Sequence, residues 1–432
     1  MSIRTQPAAQ AIANIAIASK DASKKTNLLN DLLNKIKQPG NEVTACLTLG
    51  ELGKLMDLSK VPNIIESISK FFKAEDEAVR TAASICLGNI SVGSTDFFLE
   101  KVFKLVDAAE QNQKYLFLNT IREIILNNPR CLQPYVPKLL PLLLEQAKST
   151  DEQIRGIVSE NLGRLFVYYS RAMQAPMENA FKSANALERA TVTKSFKYAV
   201  SKDTESLDLE GFTEFLAKMI GDTDIYVRRY ALESLTAITH AKPEVVRVES
   251  ATILKHAISK TLIDDSLIKE VDLGPFKHKI DDGIPIRKAA FALIDTMLEK
   301  LPQAVDSEQA SAVAIKGLED TAEECMIQCL TIILRLVVYQ PNFIVNRIEP
   351  LIECFSKLFT KNIANVGTND KAKNVMRSVI RVIEQLNRSS IIEGNAKFAD
   401  FFREKINEIP AAKDIFLNIQ ATASRGAFGD NL

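Results

Sequence analysis

Apolar residues recur along this chain on one face of a helix. Val79, Ala82, Ala83, Cys86, Leu87 and Ile90 stand at i, i+3, i+4, i+7, i+8 and i+11, the spacing of a 3.6-residue period. Ile154, Ile157, Val158, Leu162 and Leu165 repeat the stripe, as do Val227, Tyr230, Ala231, Leu235 and Ile238. Ile286, Ala289, Ala290, Leu293, Ile294 and Met297 give a fourth copy, and fainter ones centre on Val43, Leu116, Val192, Ile327 and Met376. Each strong stripe opens on one phrase, an acidic residue followed by an aliphatic residue with Arg beside it: DEAVR from Asp76, DEQIR from Asp151, DIYVR from Asp224 and DGIPIR from Asp282. Asp76, Asp151 and Asp282 stand where helix N-caps are expected. Arg80, Arg155, Arg228 and Arg287 are expected to pair with an acid of their own or the next repeat, as structure and not as a site.

The anchors Val43, Val79, Leu116, Ile154, Val192, Val227, Ile286, Ile327 and Met376 are spaced by about 36, 37, 38, 38, 35, 59, 41 and 49 residues. A recurring interval near 40 marks stacked helix pairs. A second apolar stretch lies between consecutive stripes, at residues 64–72, 97–106, 136–144 and 212–220. Pro62, Pro134, Pro137 and Pro243 sit where helix starts or turns are expected. Two helices per repeat, with no third short one, favour HEAT over armadillo repeats. The expected fold is all-α: a HEAT-repeat α-solenoid, a right-handed superhelix of helix pairs.

One interval is oversized. Between Ile263 and Ile286 no helical stripe fits, and Gly274-Pro275 marks a turn. The flanking arms LIKEVDL and FKHKI are rich in β-branched and aromatic residues, and Phe276, His278 and Ile280 alternate. They read either as a β-hairpin projecting from the solenoid or as a long loop folded back on its own repeat. A smaller excess, NIANVGTND from Asn362, reads as a flexible surface loop.

Composition removes several function classes. Among 432 residues, 54 basic and 54 acidic side chains cancel, so no global field favours nucleic acid or an anionic membrane. The basic cluster at 20–25 reads as solvated surface. Six cysteines without a CxxC read as reduced, buried thiols. No run of eighteen apolar residues suggests a membrane span, and Gln6, Gln10 and Asn14 interrupt the Ala-rich start, which does not fit a signal peptide. There is no Gly-rich phosphate loop, HExxH or GxSxG. His240, His256 and His278 lack partners at ligand spacing, and Cys325 and Cys329 read as core. The expectation is a binding surface: no enzyme, no cofactor, no metal, no membrane and no nucleic acid.

The segment from Leu267 to Phe291, LIKEVDLGPFKHKIDDGIPIRKAAF, resembles the signature of the cullin-associated, neddylation-dissociated proteins, also called TATA-binding-protein-interacting proteins. LTLGELGKLMDLS from Leu47, AASICLGNISVGS from Ala82, DIYVRRYALESL from Asp224 and NEIPAAKDIFLNIQ from Asn407 agree in order. The resemblance covers nearly the whole chain and corresponds to the C-terminal third of a longer solenoid. It implies HEAT repeats over 1–240, a TATA-binding-protein-interacting-type region over 241–420 with a hairpin near 264–283, and a disordered tail over 421–432. It further implies that the chain binds the N-terminal region of a cullin in competition with a Skp-type adaptor and its F-box protein. Such a chain would be a substrate-receptor exchange factor in the cytoplasm and nucleus. The implied contact element is Lys269, Glu270, Val271, Asp272, Leu273, Gly274, Pro275, Phe276, Lys277, His278 and Lys279. Within it, Leu273 and Phe276 are expected as apolar contacts and Lys277 as a rim charge. The family's N-terminal repeats are expected from a separate half or the rest of a longer protein. The alternatives are a transcription regulator that binds TATA-binding protein, or a generic HEAT scaffold or transport factor.

Overall fold

The computed structural model describes residues 5–19, 21–200, 209–273, 276–389 and 392–426. The chain divides into two compact units, Met1–Asp208 and Leu209–Leu432.

In the first unit the apolar stripes become one row of helices. Thr5–Ala18, Glu42–Leu55, Glu77–Gly93, Gln111–Asn127, Glu152–Phe181 and Ala186–Ala199 each pack against the next. The second apolar stretches form the partner helices, among them Ile64–Ser69, Thr95–Ala108 and Val136–Gln146. The Glu152–Phe181 helix supplies both members of its pair by bending at Tyr169 (φ −131°, ψ 30°). The stripe residues of Glu77–Gly93 are buried, which makes this face the unit's core.

Two features of the repeated phrase have physical roles. Asp76 accepts a hydrogen bond from the Ala78 N–H at 2.8 Å, and Asp151 from those of Gln153 and Ile154 at 2.8 and 3.4 Å. These side chains satisfy orphan donors of the first turn. Of the four phrase arginines, Arg228 and Arg287 meet acids as expected, whereas Arg80 and Arg155 depart from that pairing. Arg80 donates to the carbonyls of Ala74 and Glu75, both at 2.7 Å, and Arg155 to those of Ser149 and Thr150 at 2.8 and 2.9 Å. Arg189 repeats the clamp on Ser183 and Ala184 at 2.8 and 3.3 Å. A guanidinium one turn into the helix reaches back over its own cap and satisfies the carbonyls of the connecting turn.

The second unit is built the same way. Ile225–Ala241, Ile284–Lys300, Glu323–Tyr339, Asp370–Arg388 and Pro410–Gly426 form its row, each against the next. Ser250–Ser259, Ser307–Gly317 and Ile348–Asn362 are among its partner helices. The smaller excess is a 3₁₀ turn, Ile363–Asn365, leading to Asn369, which caps the next helix by accepting from Lys371 and Ala372. The last helix continues through Gly426, so residues 421–426 are helical where a disordered tail is expected; 427–432 lie outside the described residues. Each unit is thus a stack of helix pairs, and the fold is the expected all-α HEAT type.

Among the described residues the one sheet is two-stranded: β1 (Ile268–Leu273) and β2 (Phe276–Asp281), antiparallel, between two helices of the second unit's row. The oversized interval is therefore a hairpin and not a loop folded back on its repeat.

Candidate functional site

The hairpin register explains how a short ribbon acquires two chemically distinct faces. Lys269 pairs with Ile280, Val271 with His278 and Leu273 with Phe276; in the alternate pairs Ile268 meets Asp281, Glu270 meets Lys279 and Asp272 meets Lys277. Side chains alternate along a strand and directly paired positions share a face. One face therefore takes the positions of Val271, Leu273, Phe276, His278 and Ile280, with Lys269 at its root. The other takes Glu270, Asp272, Lys277 and Lys279, with Asp281 at its root. Gly274 and Pro275, expected at the turn, lie outside the described residues.

On the first face Ile280 is 48% exposed. On the charged face Lys277 and Glu270 form an ion pair at 3.8 Å, both well exposed. Such pairs contribute little stability, so that face is a solvated surface.

The root is held very differently. The Asp282 N–H donates to the Leu267 carbonyl at 3.1 Å, closing the ladder. Asp281 accepts from the Gly283 N–H at 2.8 Å and meets the Arg287 guanidinium at 2.9 Å. Arg287 is 1% exposed and also binds Asp320 through two hydrogen bonds, at 2.7 and 3.0 Å. Asp320 in turn accepts from the Ala322 N–H at 2.8 Å. Burial alone would lower the Arg287 pKa, but hydrogen bonds to Asp320 and Asp281 outweigh it and hold the group firmly charged. A buried cation bridged by two carboxylates thus ties the last residue of β2 to the following repeat.

Asp282 is a correction to the expected capping role. The cap position of the Ile284–Lys300 helix is Gly283, without a side-chain bond, and Asp282 instead takes the Lys269 ammonium at 2.7 Å. Strand alternation is the reason. It turns Asp281 toward the buried Arg287 and Asp282 toward the Lys269 face. That contact raises the Lys269 pKa.

Beside the root lies a cavity of about 290 Å³ whose lining includes Arg228, Lys260, Leu262, Ile263 and Leu267. Leu262 and Ile263 are half-exposed. Arg228 approaches Asp264 at 3.8 Å, and Lys260 has a lowered pKa through burial and the nearby Arg228 charge. The expected pairing of Arg287 with an acid of its own or the next repeat is met by Asp281 and Asp320, but sequence reasoning missed this neighbouring cavity. Only the hydrophobic dipeptide Leu262-Ile263 just before the insert could have signalled it. Among the described residues no group of three His, Cys, Asp or Glu side chains could hold a metal ion, and no helix is long and apolar enough to cross a membrane.

Comparison with known proteins adds three results. A family model described as TATA-binding protein interacting (TIP20) matches residues 245–406, which include the hairpin and Arg287. Cullin-associated NEDD8-dissociated protein 1 of Dictyostelium discoideum is 30% identical over 418 residues, 93% of this chain and 33% of the relative. The protein of the same name from Drosophila melanogaster is 31% identical over 417 residues, with the same coverages. The chain therefore spans about a third of the length of these curated relatives. Among solved structures, Kap121p bound to RanGTP superposes with a TM-score of 0.60 at 12% identity, over 97% of this chain and 45% of that one. At that identity the likeness speaks for the fold alone.

Proposed function

This chain belongs to the cullin-associated NEDD8-dissociated protein family, as a C-terminal portion of it, and on that premise we propose that it acts as a substrate-receptor exchange factor. In this reading it is a HEAT scaffold that binds the N-terminal region of a cullin. The hairpin takes up space that a Skp-type adaptor with its F-box protein would occupy. The complete protein includes further repeats, from the same chain or a separate one, and works in cytoplasm and nucleus.

The observation that supports this best is the contrast between the hairpin's blade and its root. The register sets Val271 and Ile280 at positions of one face, with Ile280 exposed, while buried Arg287 fixes the root. An isolated two-stranded ribbon is marginal in water; one anchored to a helix row can meet a partner without first being ordered. Two ligands with overlapping footprints weaken each other by the same coupling energy. Burying one aliphatic side chain contributes about 1.5–3 kcal/mol. Losing about 1.4 kcal/mol of contact to overlap speeds departure of either partner roughly tenfold when association is unchanged. Exchange then requires no bond chemistry.

The test replaces residues 270–279 with a short Gly-Ser linker, keeping Lys269, Asp281 and Asp282. Cullin binding should persist, while adaptor release from a preformed cullin–adaptor complex should slow by about tenfold or more. Undiminished release would overturn the assignment to the hairpin. The family model's description motivates a second reading, binding of TATA-binding protein through 245–406. A purified mixture that yields no complex at micromolar concentrations removes it.

A further inference from the structure

Three consecutive helices at the C-terminal end of the second unit's row line one groove of about 990 Å³. Each contributes residues one turn apart. Leu334 and Val338 come from Glu323–Tyr339, Lys373, Arg377 and Arg381 from Asp370–Arg388, and Ile415 and Ile419 from Pro410–Gly426. Neighbours at i, i+4 stand about 6 Å apart along an axis. The groove thus has a basic stripe between two apolar shoulders.

The basic stripe is costly in the protein alone. Like charges one turn apart repel, and Lys373, Arg377 and Arg381 are three in succession. Elsewhere the chain sets an acid one turn from such a cation, as in Lys35–Asp31, Arg164–Glu160, Lys218–Glu214 and Arg229–Glu233. Here, among the described residues, no carboxylate stands within ion-pair distance of the three. Glu384, which also lines the groove, is buried and engaged by Arg388. The stripe does no packing, because Val375, Met376, Val379, Ile380 and Ile383 form the buried face of the same helix.

We infer that this groove docks an acidic amphipathic helix of a partner protein, with carboxylates at i, i+4 and i+8 against Lys373, Arg377 and Arg381 and apolar residues on the two shoulders. Nucleic acid fits less well, since its phosphates would engage the basic stripe but leave Leu334, Val338, Ile415 and Ile419 without an apolar partner. The inference goes beyond the exchange reading and does not use the hairpin.

The probe is a synthetic helical peptide of about 20 residues, spanning about 30 Å, with Glu at i, i+4 and i+8 and Leu on both flanks. It is titrated into the full chain by fluorescence anisotropy. A composition-matched scramble and an oligothymidylate of similar length run in parallel. Saturable one-to-one binding of the peptide is expected, weakened by salt. R377E/R381E and V338S should each lower its affinity, the former by about tenfold or more. Circular dichroism checks that these exposed positions leave the fold unchanged. Absence of saturation, equal binding of the scramble, tighter binding of the oligonucleotide, or indifference to R377E/R381E each overturns the proposal. The Gly-Ser hairpin variant should bind the peptide unchanged, so failure of either reading leaves the other standing.

Discussion

Gly93 ends its helix where a Cβ would stand 1.9 Å from the carbonyl oxygen of Gly53 in the preceding helix of the row. Carbonyl oxygens cannot move aside as a side-chain end can, so a methyl group there must push two helices apart. Gly93→Ala should destabilise the protein by about 1–3 kcal/mol, the usual range for overpacking. Gly156, inside the Glu152–Phe181 helix, is the matched control because a Cβ there meets nothing within 4 Å. Gly156→Ala should stabilise by about 0.5–1 kcal/mol through helix propensity. Urea unfolding of both variants checks the pair, and equal signs would contradict the close approach. Both residues are simply Gly in a helical stretch of sequence. What distinguishes them is contact across a repeat, which no local pattern carries. The Asp281-Asp282 pair makes the same point. Counting from the helix start favours the second as a cap, and only the strand register turns the first inward.

At the scale of elements, Arg287 decides whether the hairpin has a fixed base. Its guanidinium is bridged to side chains that are 12% and 4% exposed, Asp281 and Asp320. Arg287→Ala leaves two buried carboxylates without their cation, which typically costs about 3–5 kcal/mol. Thermal or urea unfolding should register that loss, whereas the Gly-Ser replacement of 270–279, which spares the root, should leave the unfolding midpoint nearly unchanged. If instead the blade variant is the destabilised one, the blade is part of the core and not an anchored projection. Much at this scale was legible in advance. The 3.6-residue stripes marked the helix rows, since burial of one face imposes that period, and alternation at Phe276, His278 and Ile280 marked β2. That Arg287 pairs with an acid was expected, but which acid was not legible, because Arg287 and Asp320 belong to different repeats, and the binding groove likewise mixes residues from three helices. The Arg80 and Arg155 clamps differ from the expected ion pairs for a related reason. A sequence displays charged side chains and hides the backbone carbonyls that compete for them.

For the molecule as a whole, the division between Asp208 and Leu209 has an energetic consequence. In a stack of helix pairs each repeat draws its stability from its nearest neighbours, so a cut at this boundary leaves the row of each unit intact. Residues 209–432 contain a complete row of five helices, the hairpin, the Arg287 network and the basic groove. Made alone, this segment should melt cooperatively, displace the adaptor at a rate within about threefold of the full chain, and bind the acidic peptide with the same affinity to within about 1 kcal/mol, a factor near five. Residues 1–208 should also fold and do neither. Because 54 basic and 54 acidic residues cancel over the chain, its net field offers little long-range steering. Charge then acts through local patches, and removing the first unit should change association rates little even at low salt. A 209–432 segment that melts without a transition would show that the two units fold as one cooperative body. A folded segment that fails to displace the adaptor would place the competing surface in the first unit, where there is no hairpin among the described residues.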